Sequence, residues 1–258
     1  MTSFRESMLS SAASNKSRIV LALDFSGSYD KRLARAEEVL EATKRGIAAV
    51  KVNHHLLLPF GLQGLQRIIG ICRREELPLI ADLKINDIES TNLNIVESLF
   101  DFGFSALIAN PFVGKEEGLG KVIERVHSRG GGILFLVYMS HKGSEEGYAL
   151  RLEGGEPLYR VFAERARDWE ADGVIVSAKS ADKVAETRKV VGKDCLIFCP
   201  GVGAQGGDVN VASSGADFLI VGRSIIESAD PRMALRDVRM TEGQDEHFRS
   251  SKVPGDKG

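Results

Sequence analysis

The stretch Ile-Ala-Asp-Leu-Lys-Ile-Asn-Asp-Ile-Glu-Ser-Thr at residues 80–91 joins an apolar strand to a run of ionisable side chains. Residues two apart on a strand share a face, so Leu83 and Ile85 are predicted to point to one side. Asp82 and Lys84 then share the opposite face. Because burying an acid and a lysine is costly unless they pair, the sequence predicts that these two side chains contact each other.

Asp87 adds a third ionisable group just beyond this strand, before a predicted helix. One explanation is structural: Asp82 and Lys84 form a buried ion pair, and Asp87 is the N-cap of the helix. The other explanation is a reactive site, because perturbed ionisable groups cluster where chemistry takes place. The rest of the chain decides between the two.

Apolar strands and amphipathic helices alternate on both sides of this stretch. Strands are predicted at residues 19–23, 48–52, 79–84, 106–109, 133–138, 174–176, 196–198 and 218–221. Helices are predicted at residues 29–44, 62–74, 88–100, 116–128, 157–168, 181–190 and 231–238, with a short one after the seventh strand. Near-continuous apolar strands are typical of parallel sheets covered on both faces. Eight such units predict an α/β fold, a single-domain (β/α)8 TIM barrel.

The two ends of the chain differ from this pattern. Residues 1–17 are Ser-rich, and we predict either a frayed leader or a short covering helix there. The barrel and its catalytic domain are predicted to span residues 18–239. The polar tail at residues 240–258 is predicted to be disordered.

Composition narrows the class of protein. The chain has 258 residues, 43% of them hydrophobic and 27% charged, and a single α/β barrel takes about 250. A net charge of −2 argues against nucleic acid as a partner. Three cysteines without a CxxC pair favour a reducing compartment. Without an apolar leader or a run long enough to span a bilayer, we expect a cytoplasmic protein with no membrane partner.

Active residues of such barrels lie at the carboxyl ends of the strands and in the loops that follow. The polar residues predicted at these ends are Asp24, Lys51, Asn53, Asp82, Lys84, Asp87, Asn110, Ser140, Ser177, Lys179 and Arg223. The charges alternate in sign on the first three strands, and adjacent strands lie about 4.8 Å apart. We therefore expect one hydrogen-bonded array of Asp24, Lys51, Asp82, Lys84 and Asp87, in which the carboxylates keep Lys84 protonated.

The last two units suggest a phosphate site. Residues 201–207 form a Gly-rich loop after the seventh strand, and Gly222 and Arg223 follow the eighth. Barrels often bind phosphate between these two loops, and arginine can bind the anion through two hydrogen bonds. The adjacent His54 and His55 point apart, so they are predicted to be loop or core residues rather than metal ligands. No metal-binding motif is apparent.

These motifs together resemble those of orotidine 5′-phosphate decarboxylases. Asp82, Lys84, Asp87, Ile88 and Thr91 match the Asp-x-Lys-x-x-Asp-Ile-x-x-Thr signature of that family. Further matches are Leu21-Ala22-Leu23-Asp24, Lys51, Met139-Ser140-His141, the run from Pro200 through Gln205 to Gly207, and Val221-Gly222-Arg223. The resemblance runs from about Arg18 to Arg239 and is greatest to the compact form of archaea and some bacteria.

The resemblance implies decarboxylation of orotidine 5′-phosphate to uridine 5′-phosphate in pyrimidine biosynthesis, without a cofactor or metal. Its implied catalytic residues are Asp82, Lys84 and Asp87; its implied substrate-binding residues are Asp24, Lys51, Ile88, Thr91, Ser140, Pro200, Gln205, Gly222 and Arg223. Lys84 would stabilise and protonate the C6 carbanion, Asp24 and Lys51 would bind ribose, and Ser140 would bind the pyrimidine. Gln205 and Arg223 would hold the phosphate. In the family, Asp87 and Thr91 equivalents reach the neighbouring subunit's site, which implies a homodimer.

Three alternatives remain. Metal-dependent sugar-phosphate decarboxylases and synthases share the Asp-x-Lys-x-x-Asp motif, but they carry an acidic metal ligand near the second strand. Lys51-Val52-Asn53 stands there in this chain. A Schiff-base aldolase could use Lys84 as a nucleophile. A non-catalytic phosphate-binding barrel would keep Arg223 but would have no need of Asp82 and Lys84.

Overall fold

Eight parallel strands form a closed barrel in the computed structural model, which describes residues 2–201 and 214–241. The strands are β1 Ile19–Ala22, β2 Ala49–Asn53, β3 Leu79–Ile85, β4 Ala106–Ala109, β5 Gly132–Tyr138, β6 Gly173–Val176, β7 Leu196–Pro200 and β8 Phe218–Val221. They pair in chain order, and β8 closes on β1 with Ile19 opposite Leu219. The prediction of a (β/α)8 barrel is confirmed.

The helices lie between consecutive strands, except the first, which precedes β1, and the last two, which follow β8. They are α1 Phe4–Asn15, α2 Tyr29–Thr43, α3 His54–Gly64, α4 Gln66–Arg74, α5 Glu89–Phe102, α6 Gly120–Ser128, α7 Ser144–Gly147, α8 Leu158–Asp168, α9 Ala181–Val191, α10 Arg223–Ile226 and α11 Pro231–Thr241. None of the described helices is both long enough and apolar enough to cross a membrane.

The barrel interior changes from apolar to charged along the strands. On β3, Ile80 belongs to a buried interior cluster, and Asp82 lies two residues further towards the carboxyl end. On β2, Lys51 follows Ala49 in the same way. Because inward-facing positions on a strand repeat every two residues, this order puts the charged groups together at one end of the barrel.

The opposite end of the barrel is closed by α1. Phe4 and Met8 are fully buried against the interior cluster, and the Phe4 ring stacks on Phe198 with centroids 6.5 Å apart. The Ser11 hydroxyl donates to the Ala48 carbonyl at 2.7 Å. A side chain at Gly132 would meet Phe4 at 2.3 Å, so only glycine leaves room for the ring. The serine-rich segment is therefore a covering helix, and the alternative of a frayed leader is wrong.

The other differences from prediction lie in the connections. The sequence predicted one helix at residues 62–74, whereas α3 begins already at His54, where the Asn53 side chain accepts from the His55 N–H. Gly61 interrupts α3 with a φ of 61°. The segment after β5 folds into the short α7 and a turn in which Arg151 bridges Pro157. Such turns are fixed by local hydrogen bonds and carry no hydrophobic period for sequence reasoning to detect.

Candidate functional site

A cavity of about 310 Å³ opens at the carboxyl ends of the strands. Its polar wall contains eight of the predicted site residues. They are Asp24, Lys51, Asp82, Lys84, Ser140, Pro200, Gly222 and Arg223. Its apolar surface is formed by side chains that continue the interior of the barrel, among them Ala22, Ile108, Leu136, Ile175 and Ile220. The cavity is therefore the open upper end of the barrel core.

Four of the charged side chains form a continuous chain of ion pairs. The Lys51 ammonium donates to Asp24 Oδ1 at 3.0 Å and to Asp82 Oδ2 at 2.7 Å. The Lys84 ammonium donates to Asp82 Oδ1 at 2.5 Å. Asp82 thus holds one lysine on each carboxylate oxygen. The predicted pairing of Asp82 with Lys84 is confirmed, and the partners of the array lie on β3, on β2 and just beyond β1.

Burial and charge oppose each other in this array. Burial alone would raise the pKa of Asp82, but the ammonium groups of Lys51 and Lys84 outweigh it and lower that pKa. Burial would likewise lower the pKa of Lys51, which is only 4% exposed, yet Asp82 and Asp24 raise it. Both groups are therefore charged at neutral pH. The side chain of Lys84 is 33% exposed, so its ammonium is the cation of the array that is most open to the cavity.

The backbone at Lys84 is unusual for a strand. Its φ is 50°, in the left-handed region, and the pairing of β3 with β4 shifts register between Ala81 and Ile85. A non-glycine residue in this region is strained, and such strain is typical of functional sites. The bulge leaves Ile85 in the outer hydrophobic core while Lys84 lines the cavity. The predicted division of faces is confirmed.

The other predicted residues of the cavity come from β5, β7 and β8. Ser140 lies two residues beyond β5, and Pro200 ends β7. Gly222 and Arg223 follow β8, which is hydrogen-bonded to β1, so Arg223 stands beside the strand that leads to Asp24. Ser140 is on the far wall of the barrel, four strands from β1. Gln205 lies outside the described residues.

Three predicted residues lie outside this cavity. Asp87, Ile88 and Thr91 are exposed at the start of α5, and Ile88 is 61% exposed. Asp87 Oδ1 accepts from the Ile88 N–H at 2.7 Å, and in the described part of the chain it makes no ion pair with Lys84. The array therefore has four members instead of five. The prediction of Asp87 as N-cap is also wrong, because Ile88 occupies that position.

Sequence reasoning missed three residues of the cavity wall as site candidates, namely His55, Met139 and Ser224. His55 was assigned to a loop or the core, although its position just after β2 is the signal that could have identified it. Met139 and Ser224 lie beside Ser140 and Arg223. Within residues 2–201 and 214–241, no group of three His, Cys, Asp or Glu side chains could hold a metal ion.

Comparisons with known proteins show which family the chain is similar to. The model of the family described as "Orotidine 5'-phosphate decarboxylase / HUMPS family" matches residues 17–238. The chain is 38% identical over 221 residues to the orotidine 5′-phosphate decarboxylase of Pyrococcus abyssi, covering 85% of this chain and 96% of that protein. It is also 38% identical over 225 residues to that of Thermococcus kodakarensis, covering 86% and 94%. The crystal structure of the Pyrococcus horikoshii enzyme superposes with a TM-score of 0.70 and 31% identity, covering 87% and 99%.

Proposed function

The chain belongs to the orotidine 5′-phosphate decarboxylase / HUMPS family, and we propose that its cavity is the site that converts orotidine 5′-phosphate to uridine 5′-phosphate. The protein is a carboxy-lyase of pyrimidine biosynthesis. The observation that carries the proposed site is the ion-pair chain at the cavity wall, in which Asp82 holds the exposed Lys84 at 2.5 Å and the buried Lys51 at 2.7 Å.

Lys84 supplies the chemistry that this reaction needs. When the bond between C6 and the carboxyl carbon breaks, CO2 leaves and the electron pair remains on C6. A fixed ammonium beside C6 stabilises the developing carbanion and then transfers a proton to it. Lys84 becomes neutral in that step and regains its proton from water. Its hydrogen bond to Asp82 and its strained backbone support this role, because both hold the ammonium in one place.

Asp82 acts on the group that leaves. Its pKa is lowered in spite of burial, so it remains a carboxylate when substrate binds. A second carboxylate placed near it is repelled, and this repulsion is relieved when CO2 departs. Lys51 keeps Asp82 charged from the other side. The buried pair thus sets the electrostatics around Lys84 before the substrate arrives.

The remaining residues are proposed to bind different parts of the substrate, at three walls of the cavity. Asp24 and Lys51 are proposed to bind the ribose hydroxyls, and Ser140 the pyrimidine edge. Arg223 is proposed to bind the phosphate with Gly222 and Gln205, and Pro200 lies beside this site. Arg223 is exposed at the rim and Ser140 lies across the barrel, so a nucleotide would span the opening between them.

We propose a homodimer with shared active sites. Asp87, Ile88 and Thr91 lie at the rim outside their own cavity, and Thr91 lines an apolar depression with Leu57 and Leu83. A second copy seated on this depression would bring Asp87 to its neighbour's cavity. Mixing inactive Lys84→Ala and Asp87→Ala proteins under subunit exchange should then restore activity, because some dimers contain one intact site. No recovery on mixing would show that the sites are not shared.

The metal-dependent alternative is less well supported. The Lys51 ammonium lies between Asp24 and Asp82, and it balances the charge that a divalent cation would otherwise balance. An acidic residue near β2 is also missing from the motif, where Asn53 instead caps α3. A cytoplasmic location is part of the proposal, since the substrate is a soluble nucleotide.

Spectrophotometry of purified protein with orotidine 5′-phosphate tests the proposal. The substrate absorbance should fall, and addition of a chelator should leave the rate unchanged. Loss of the rate with chelator would favour the metal-dependent alternative. Borohydride inactivation in the presence of a carbonyl substrate would reveal a Schiff base at Lys84. Binding of nucleotide without turnover would indicate a non-catalytic phosphate-binding barrel.

A further inference from the structure

A second polar cluster lies behind the cavity wall, where β5 ends. Tyr138 is the last residue of β5 and is 2% exposed, and its hydroxyl donates to the Glu145 carboxylate on α7. The Lys183 ammonium, from α9, lies 3.5 Å from Glu145 Oε1 and 4.6 Å from the centroid of the Tyr138 ring. None of these three residues lines the cavity.

The cluster fixes the segment that continues from the cavity wall. Met139 and Ser140 follow Tyr138 directly and line the cavity. The chain then turns, with the buried Ser144 donating from its hydroxyl to the His141 carbonyl at 2.7 Å. Glu145 comes next, so its contacts with Tyr138 and Lys183 tie the end of this turn back to the barrel. A movement of Glu145 away from Tyr138 would therefore loosen both ends of the turn that contains Ser140.

The charges of the cluster are not needed to build a barrel. The side chain of Lys183 is only 16% exposed, and an apolar residue would pack there without the cost of burying an ammonium. Burial alone would lower the pKa of Lys183, but Tyr138 and Glu145 raise it, so the ammonium stays charged. Because Tyr138 and Lys183 are largely buried, their contacts with the Glu145 carboxylate hold the end of this turn more strictly than apolar contacts alone would.

We propose that Tyr138, Glu145 and Lys183 are positioning residues that hold Ser140 where it meets the pyrimidine base. The inference rests on the proposed function of the cavity. It predicts a specific selectivity. Disturbing the cluster should weaken the binding of ligands that contain the base, and it should leave the binding of ligands with only ribose and phosphate nearly unchanged. The ribose and phosphate residues Asp24 and Arg223 follow β1 and β8, so they do not depend on the turn that follows β5.

Kinetics of Lys183→Met test the proposal. We expect the KM for orotidine 5′-phosphate and the inhibition constant of uridine 5′-phosphate to rise about tenfold, the scale of a hydrogen bond to a charged group. The inhibition constant of ribose 5-phosphate should change less than about twofold, because that ligand has no base that could contact Ser140. Lys183→Arg should restore nucleotide affinity, and Lys189→Met, at an exposed lysine of the same helix, should match the wild type.

Glu145→Gln provides the second variant, since the Glu145 side chain is 64% exposed and its change cannot disrupt the core. It should shift the same two constants in the same direction. Equal weakening of uridine 5′-phosphate and ribose 5-phosphate would overturn the proposal, as would wild-type constants in both variants. An inactive wild-type protein that does not bind uridine 5′-phosphate would instead overturn the function proposed for the cavity.

Discussion

The two ends of the barrel use acidic side chains in opposite ways. At the closed end, Asp172 accepts from the Ile133 N–H at 2.9 Å, and Asp217 accepts from the Ile197 N–H at 2.7 Å. Each acid accepts from the N–H of the second residue of a strand, β5 or β7. At the open end, Asp82 contacts two lysines instead. We infer that the acids bound to the backbone stabilise the fold. Asp82, which is bound to two lysines, instead sets the charges of the candidate site.

Strained backbone shows the same contrast. Lys16, Glu76 and Glu170 have φ values of 47°, 52° and 59°, and all three lie in turns that follow helices at the closed end. Left-handed residues are common at such helix ends. Lys84 has a similar φ of 50° inside a strand, where the conformation serves no turn. Glu117, whose φ is also 50°, lies in the turn before α6, so among the described residues Lys84 is the left-handed non-glycine residue that lies within a strand. We infer that this strain serves to position its ammonium.

Replacing Lys84 should give the largest effect and the sharpest test of this contrast. We expect Lys84→Ala to lower kcat/KM for orotidine 5′-phosphate by at least about 10⁴-fold, because it removes both the charge and the proton donor. The free energy of unfolding should stay close to that of the wild type, since Asp82 keeps Lys51. Lys179→Ala, at an exposed lysine of the same rim, is the control. Decarboxylation within tenfold of the wild-type rate would refute the role of Lys84.

The opposite result is expected at the closed end. Phe4→Ala should lower the free energy of unfolding by about 3–5 kcal/mol, because it opens a cavity between α1 and the barrel interior. The kcat of the folded protein should not change. Denaturant unfolding measures the first quantity, with Leu9→Ala, at a 42% exposed leucine of the same helix, as control. A large fall in kcat would mean that the two ends are coupled.

Replacing Arg223 should weaken the binding of the substrate's phosphate group and of no other part of the substrate. We expect Arg223→Ala to cost about 2–5 kcal/mol in kcat/KM for the phosphorylated substrate, because a charge-assisted contact is lost. Binding energy from a remote phosphate can drive catalysis at the base. A truncated substrate without phosphate should lose much less. Measuring both substrates with both proteins decides the question, and equal losses would show that Arg223 supports the barrel instead.

The smallest effect is expected from His127 at the closed end. A hydrogen bond to Asp172 raises the pKa of His127 in the folded protein. The protonated form therefore stabilises the fold below the unfolded pKa of about 6.5, and this contribution disappears as the pH rises through the folded pKa. Because the pair is partly exposed, it should contribute less than about 1 kcal/mol.

Denaturant unfolding between pH 6 and 8.5 in the wild type and in His127→Gln measures this contribution by difference. The gap between the two proteins should close at high pH. A gap that widens as the pH rises would contradict the sign of the shift. Asp82 provides the comparison, because its lowered pKa makes its contribution disappear on acidification instead.

Much of the fold and of the site follows from local sequence patterns. Apolar runs alternating with amphipathic helices predicted the strand order, and the period of two along β3 predicted that Asp82 and Lys84 share a face. The charges on three neighbouring strands then had to meet at one rim, since parallel strands end at the same side. These inferences succeed because strand period and strand spacing are properties of the backbone, independent of the rest of the fold.

Other features depended on contacts between distant parts of the chain. The serine-rich segment could fray or cover the barrel, and the space that Gly132 leaves for Phe4 decided between them. The sequence placed Asp87 in the array, but the bulge at Lys84 and the start of α5 at Glu89 turn it away from the cavity. Tertiary packing alone selects among conformations that a short segment allows, because no local energy difference is large enough to do so.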